Sequence, residues 1–280
     1  MSRTIQRVGM PHVDSGPYAL VAGSRSRSQS RPKHTKVFSP MTRVVTVLNQ
    51  KGGVGKSTTT VNLAAVRAQK LTEALEPDAF SPVAAVSIDP QGSAKWWANR
   101  VDALPFHLVQ AHDDPLDWLQ QLNNLPGIAE VYVDTAGWFD LDPDSAAAGD
   151  GLGDGYQADA LRTVLDVTDE AIVPVLPAPM CFDPTARTIR KLLEPRNIPY
   201  RVFINDWDPR DGEHWLEQTQ KFIRGQGWPL AETVVRHYKI HTNASSEGVV
   251  VTQYKKTGSA ANAASDFYKL ADELNTVGVR

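Results

Sequence analysis

The stretch "VVTVLNQKGGVGKSTTTVNLAAV", residues 44–66, decides the fold. It opens on β-branched residues, breaks into Gly52, Gly53 and Gly55, and passes into a helix-forming segment that begins with Lys56, Ser57 and Thr58. A strand, a glycine turn and a helix in that order aim several backbone N–H groups at one point, which is what a phosphate group requires. The glycines let the chain curl without side chains in the way. Lys56 neutralises β- and γ-phosphate charge, the Ser57 hydroxyl is offered to Mg²⁺, and Val54 and Thr58 are further candidate nucleotide contacts beside the three glycines. The usual G-x-x-x-x-G-K-[ST] pattern fails at its first glycine, where Gln50 stands, and a second lysine, Lys51, follows it.

Outward from this turn, short apolar runs alternate with amphipathic segments. "RVVTVLN", "VAAVSID", "AEVYVDT", "EAIVPVLP" and "YRVFIND" are apolar on consecutive positions, the pattern of strands buried on both faces. Helical patterns fall at 57–75, 93–101, 114–122, 157–167, 182–194 and 213–224. A last helix, "SAANAASDFYKLADELN", places Ala264, Phe267, Leu270, Ala271 and Leu274 on one face. The alternation predicts an α/β fold with a doubly wound, mainly parallel sheet and right-handed crossovers. Ligands of such sheets sit beyond the carboxyl ends of the strands.

The chain of 280 residues is expected to hold one globular domain over 43–280. Its net charge of −3 hides an asymmetry. Residues 1–42 carry seven Lys and Arg against the single acid Asp14, a net +6 that leaves −9 for the rest. This segment contains "SRSRSQSRPKHTK" and shows no hydrophobic period, so a disordered basic tail is expected there. The stretch 138–156, acidic and glycine-rich, is expected to form a mobile surface loop. One cysteine, Cys181, excludes an intramolecular disulfide framework and a cysteine-only metal cage, and suits a reducing cytosol. No apolar run approaches the roughly 20 residues that span a bilayer.

"KGGVGKST" resembles the deviant Walker A motif of the ParA/MinD family of ATPases, a SIMIBI-type branch of the P-loop NTPases. The resemblance implies roles for both lysines: Lys56 acts on the nucleotide of its own subunit, and Lys51 reaches across a dimer interface to the nucleotide of a facing copy. Two ATP molecules with Mg²⁺ are then sandwiched between two protomers. "VSIDPQGSAKWW" resembles the family's switch I, so Asp89 orients the attacking water or binds it near the metal. "VYVDTAG" resembles the Walker B segment, where Asp134 holds Mg²⁺ through water and Gly137 lets backbone approach the γ-phosphate. Ala136 stands where the family often has proline, and Trp138 is bulkier than that pattern. Asn205, at the end of "YRVFIND", falls where the adenine is expected.

The likeness continues in "VVRHYKIHTNASSEGVVVTQY…SAANAASDFYKLADEL", which resembles the ParA C-terminal pattern at Arg236, Ala244, Gly248, Val250, Tyr254, Tyr268, Leu270, Ala271 and Glu273, with Asn243 in place of a glutamate. It implies a cytoplasmic, nucleoid-associated partition ATPase. Such a protein hydrolyses ATP slowly, binds nonspecific double-stranded DNA as a homodimer, and answers to a ParB-type centromere-binding adaptor. Arg236, Lys239, Lys255 and Lys256 are the candidate DNA contacts. A membrane-bound MinD type is the lesser expectation, because "ADELNTVGVR" has acids and little apolar face. A nitrogenase-type relative would need more cysteines to hold its cluster. A synthetase-type relative stays open. The tryptophans Trp96, Trp97, Trp118, Trp138 and Trp207 are expected in the core.

Overall fold

The computed structural model describes residues 41–73, 80–98, 104–138, 149–247, 249–254 and 258–275. The expected basic tail, most of the expected loop at 138–156, Gly248, and the candidate DNA contacts Lys255 and Lys256 lie outside the described residues. Six strands, β1 (Arg43–Val47), β2 (Val83–Ser87), β3 (His107–Gln110), β4 (Glu130–Asp134), β5 (Glu170–Val175) and β6 (Tyr200–Ile204), form one sheet in the order β3-β2-β4-β1-β5-β6. Every neighbouring pair is parallel. The eight helices among the described residues are α1 (Lys56–Thr72), α2 (Ser93–Ala98), α3 (Leu116–Leu119), α4 (Tyr156–Asp166), α5 (Phe182–Arg187), α6 (His214–Gly225), α7 (Lys239–Glu247) and α8 (Gly258–Asn275).

The consecutive apolar runs explain the two-sided core. Successive strand residues point to opposite faces, so Val44 and Leu48 pack with Leu161, Leu165, Ile189 and Leu192, while Val45 and Val47 pack with Leu63, Phe203, Phe267 and Leu270. The five strands expected from sequence are all present. The sixth, "HLVQ", was missed because an edge strand half-buried at every position has no continuous apolar run. Two helical expectations shrink: 114–122 keeps one α-turn and a 3₁₀ turn at Leu122–Asn124, and 182–194 changes from α5 into a π-helix over Thr188–Leu193.

β1 is flanked by β4 on one side and β5 on the other, so the chain reverses its winding there, at a crevice beyond the strand ends. Pro174 lies in β5 with no N–H to give the ladder. The β1–β5 pairing ends at Val47–Ile172, just before that proline, and the Asn49 amide then donates to the Pro174 carbonyl at 2.9 Å. β1 thus leaves the sheet where β5 has no N–H to offer it, and the Asn49 side chain satisfies the proline carbonyl. On the far edge, residues 229–237 run along β6. Val202 donates to Pro229 O and Ala231 to Val202 O; Val235 donates to Ile204 O and His237 to Trp207 O. Between them Glu232 and Thr233 donate their N–H groups to the Glu273 carboxylate on α8, at 2.7 and 3.0 Å. Of the five tryptophans expected in the core, Trp97 is buried there; Trp118, Trp138 and Trp207 are half-buried and Trp96 is exposed.

Candidate functional site

The turn after β1 is held from three sides. Gly53 and Gly55 have φ of 75° and 85°, the left-handed region that glycine enters without strain. On one side Gly137 presses against the turn: a Cβ there would lie 2.9 Å from Gln50 O and 3.2 Å from Gly52 N. The neighbouring Trp138 N–H donates to Gln50 O at 3.3 Å. On the opposite side the Asn205 amide donates to Val54 O at 2.8 Å and fills the space a Cβ on Gly55 would need. From below, Asn49 donates to Thr185 Oγ1 and accepts from Lys51 N, and Gln50 N donates to Thr188 Oγ1. Gly137 and Asn205 were expected as nucleotide contacts; here both fix the phosphate turn itself. Asn49, Thr185 and Thr188 went unnoticed in the sequence, because a threonine 136 positions from its partner leaves no local mark.

The two lysines behave differently. Lys56 is buried, and its ammonium donates to Asn49 O at 3.0 Å and Lys51 O at 3.1 Å, inside its own loop. Lys51 is half-buried, and among the described residues its ammonium makes no hydrogen bond or ion pair, although its charge acts on the Cys181 thiol. Burial lowers the Lys56 pKa, opposed by the charges of Asp134 and Asp89.

Asp134 ends β4 with no exposed surface. Ser87 Oγ donates to its Oδ2 at 3.1 Å, while its buried Oδ1 meets no group in hydrogen-bonding geometry. Burial pushes its carboxyl up to about 7; the Ser57 hydroxyl draws it down, the Asp89 carboxylate raises it, and Ser87 and Lys56 lower it. Asp89 sits beyond β2, buried, in a turn where Gln91 N donates to its Oδ1 at 2.8 Å and Gly92 N to its carbonyl at 3.0 Å. Among the described residues no group of three His, Cys, Asp or Glu forms a protein-only metal cage. The set present, one hydroxyl and two carboxylates with an unpartnered buried oxygen, fits Mg²⁺, which keeps waters and takes phosphate oxygens as its other ligands.

The expected DNA contacts separate. Lys239 is exposed at the start of α7. Arg236 is engaged by the nearly buried Asp266: its Nε and Nη2 donate to the two carboxylate oxygens at 2.9 and 2.7 Å, and its backbone N–H donates as well. That pairing neutralises the charge a phosphate would need.

The parallel sheet, the glycine turn at its switch point and the carboxylates on β2 and β4 define a P-loop nucleotide-binding protein of the two-lysine class. The chain belongs to the CobQ/CobB/MinD/ParA nucleotide binding domain family, which it matches over residues 45–279. It is 35% identical over 234 residues to the maintenance of carboxysome distribution protein A of Gloeobacter kilaueensis, a match covering 83% of this chain and 94% of that protein. The protein of the same name from Halothiobacillus neapolitanus is 27% identical over 239 residues, covering 82% and 92%. The septum site-determining protein MinD of Pyrococcus horikoshii, solved with Mg-ADP, shares the fold with a TM-score of 0.60 at 18% identity, covering 85% of this chain and 98% of that one.

Proposed function

We propose that the protein is a positioning ATPase: it binds ATP with Mg²⁺, pairs with a second copy across the nucleotides, and in that paired state holds nonspecific double-stranded DNA while an adaptor brings its cargo. The division of labour between the lysines carries this reading. Lys56 turns into its own loop, whereas the Lys51 ammonium is left for a partner's nucleotide. A cation supplied in trans makes stabilisation of the transferring phosphoryl group depend on pairing. Asp89 orients the water that attacks the γ-phosphate, giving ADP and phosphate. Ser57 and, through water, Asp134 would hold the Mg²⁺ that offsets phosphate charge, with Asp89 near the metal.

The names of the two relatives, both for maintenance of carboxysome distribution, support a carboxysome-like body as the cargo. The C-terminal pattern from Arg236 to Glu273 favours a second reading, partition of a plasmid or chromosome through a ParB-type adaptor. Both readings place the protein on the nucleoid in the cytoplasm. Among the described residues no helix is long and apolar enough to cross a membrane.

Retention of the full chain on unrelated duplexes tests the shared core. Binding is expected with ATP, to be at least tenfold weaker with ADP, and to fade as salt rises. Lys51→Ala is expected to bind ATP but lose turnover and DNA retention together, whereas Lys56→Ala loses nucleotide binding. Equal retention with ADP, or normal turnover by Lys51→Ala, overturns the reading.

A further inference from the structure

Gln110 ends the edge strand β3, in register with Ser87 of β2. Its side-chain amide reaches across to the neighbouring strand's exit: Nε2 lies 2.9 Å from Asp89 O and 3.3 Å from Ser87 O, and His112 Nδ1 is a third neighbour at 3.3 Å. Two carbonyls on one side fix the amide's orientation, because an oxygen turned that way would face both of them. The opposite atom, Oε1, is therefore turned away, and it is buried without a partner. An apolar side chain of equal length would fill the same space and leave no oxygen unpaired. Gln110 thus carries an energetic penalty at a position where packing alone does not ask for an amide. What the amide gains is hold on one residue, Asp89.

The Asp89 turn has its own bonds, from Gln91 N to Oδ1 and from Gly92 N to the carbonyl. These fix the turn's shape but move with it. Gln110 is on another strand, and its bond ties the Asp89 carbonyl to the sheet. On the near side, Ile88 N donates to Asp134 O at 2.9 Å. The two contacts bracket Asp89 between β4, which carries the proposed metal ligand, and β3. A carboxylate that orients water must be held to a fraction of an ångström, and a misplacement near 1 Å lowers rates by about a hundredfold.

We propose that Gln110 is a positioning residue for Asp89: its amide holds the Asp89 backbone so that the carboxylate points at the attacking water. This rests on the reading that Asp89 acts in ATP turnover.

The test is Gln110→Met, which keeps length and removes the donor, in the full chain. Its melting temperature is expected to equal or exceed that of the parent, and its ATP affinity to stay within twofold. Its kcat is expected to fall at least tenfold. Gln110→Glu, which presents oxygen to the carbonyls, is expected to lose as much or more. In an Asp89→Ala background, Gln110→Met is expected to change kcat no further, since the two act as one unit. Hydrogen exchange gives a readout independent of turnover: the Gln91 and Gly92 amides are expected to exchange at least tenfold faster in Gln110→Met, with the amides of 52–56 unchanged. Unchanged exchange at 91 and 92, a kcat loss that is additive with Asp89→Ala, or a loss that tracks melting temperature and ATP affinity overturns the proposal. If the parent chain turns over no ATP, the positioning-ATPase reading falls, and exchange at 91 and 92 alone decides the role of Gln110.

Discussion

Asp134 and Lys56 show how the site stores its need for ligands in single residues. Burial drives both toward their neutral forms, the carboxyl up to about 7 and the ammonium down. A cation beside Asp134 and a phosphate beside Lys56 would each restore the charged form, so binding and ionisation are linked. The sign follows for stability. A carboxyl raised from 3.8 to about 7 keeps its proton in the folded protein where the unfolded chain has released it. Metal-free stability therefore falls as pH rises, by on the order of 3 kcal/mol between pH 5 and pH 8 for this group. Denaturant titrations without nucleotide at pH 5 and pH 8 are expected to show this loss in the parent and a smaller one in Asp134→Asn. Mg²⁺ should bind more tightly at pH 8 than at pH 6, since it displaces the proton. Parallel stability curves for parent and Asp134→Asn would remove the buried proton from the account. In the sequence, Asp134 is visible as an acid closing an apolar strand, but its ionisation is not, because Ser57 on α1 and Ser87 and Asp89 at the end of β2 act on it from two other segments.

At the scale of elements, the phosphate turn is legible and its supports are only partly so. Gly52, Gly53 and Gly55 announce themselves between a β-branched run and a helix, and the turn forms there. The glycines nonetheless differ in what they do. A Cβ on Gly52 meets nothing within 4 Å, whereas one on Gly137 meets the backbone at Gln50 O and Gly52 N, which no side-chain movement relieves. Gly52→Ala is expected to melt within about 2 °C of the parent, the span of roughly 0.5 kcal/mol in a chain this size. Gly137→Ala is expected to force the 135–138 segment off the turn and weaken ATP binding at least tenfold. Nucleotide titration of the two variants checks it, and equal affinities would mean the close approach is not needed. The C-terminal pattern gains its reason at this scale too. Glu273 and Asp266 lie seven residues apart on one face of α8, and both receive backbone N–H groups from the strand-like segment 232–236. Edge strand β3 and helix α7 were missed for the complementary reason: each is half exposed and short, so neither leaves a continuous apolar run.

For the whole molecule, charge sets the problem of DNA binding. The residues beyond position 42 carry −9 in total, so the chain as a body is repelled by phosphate and any contact must come from a local surface or from the +6 segment at 1–42. Arg236 is no longer a candidate of full weight, because Asp266 takes its guanidinium. In the proposed DNA-bound state this raises the share that would fall to the N-terminal arginines. Each phosphate neutralised releases counterions and adds about 0.9 to the slope of log affinity against log salt. Deleting residues 1–40 removes seven cations and one acid. If those cations touch DNA, the truncated protein binds more weakly at low salt and its slope flattens by up to about 6. If they engage acidic residues of the chain instead, DNA affinity stays intact and ATP turnover changes. The first outcome is expected, since a segment of net +6 is drawn to the phosphate backbone. The proposed pairing sharpens the contrast: two copies joined by ATP would present two such segments to one duplex, so the truncation should remove more affinity with ATP than with ADP. A salt titration of full-length and truncated chains under both nucleotides measures all of these at once, and superimposable curves would exclude the segment from DNA binding.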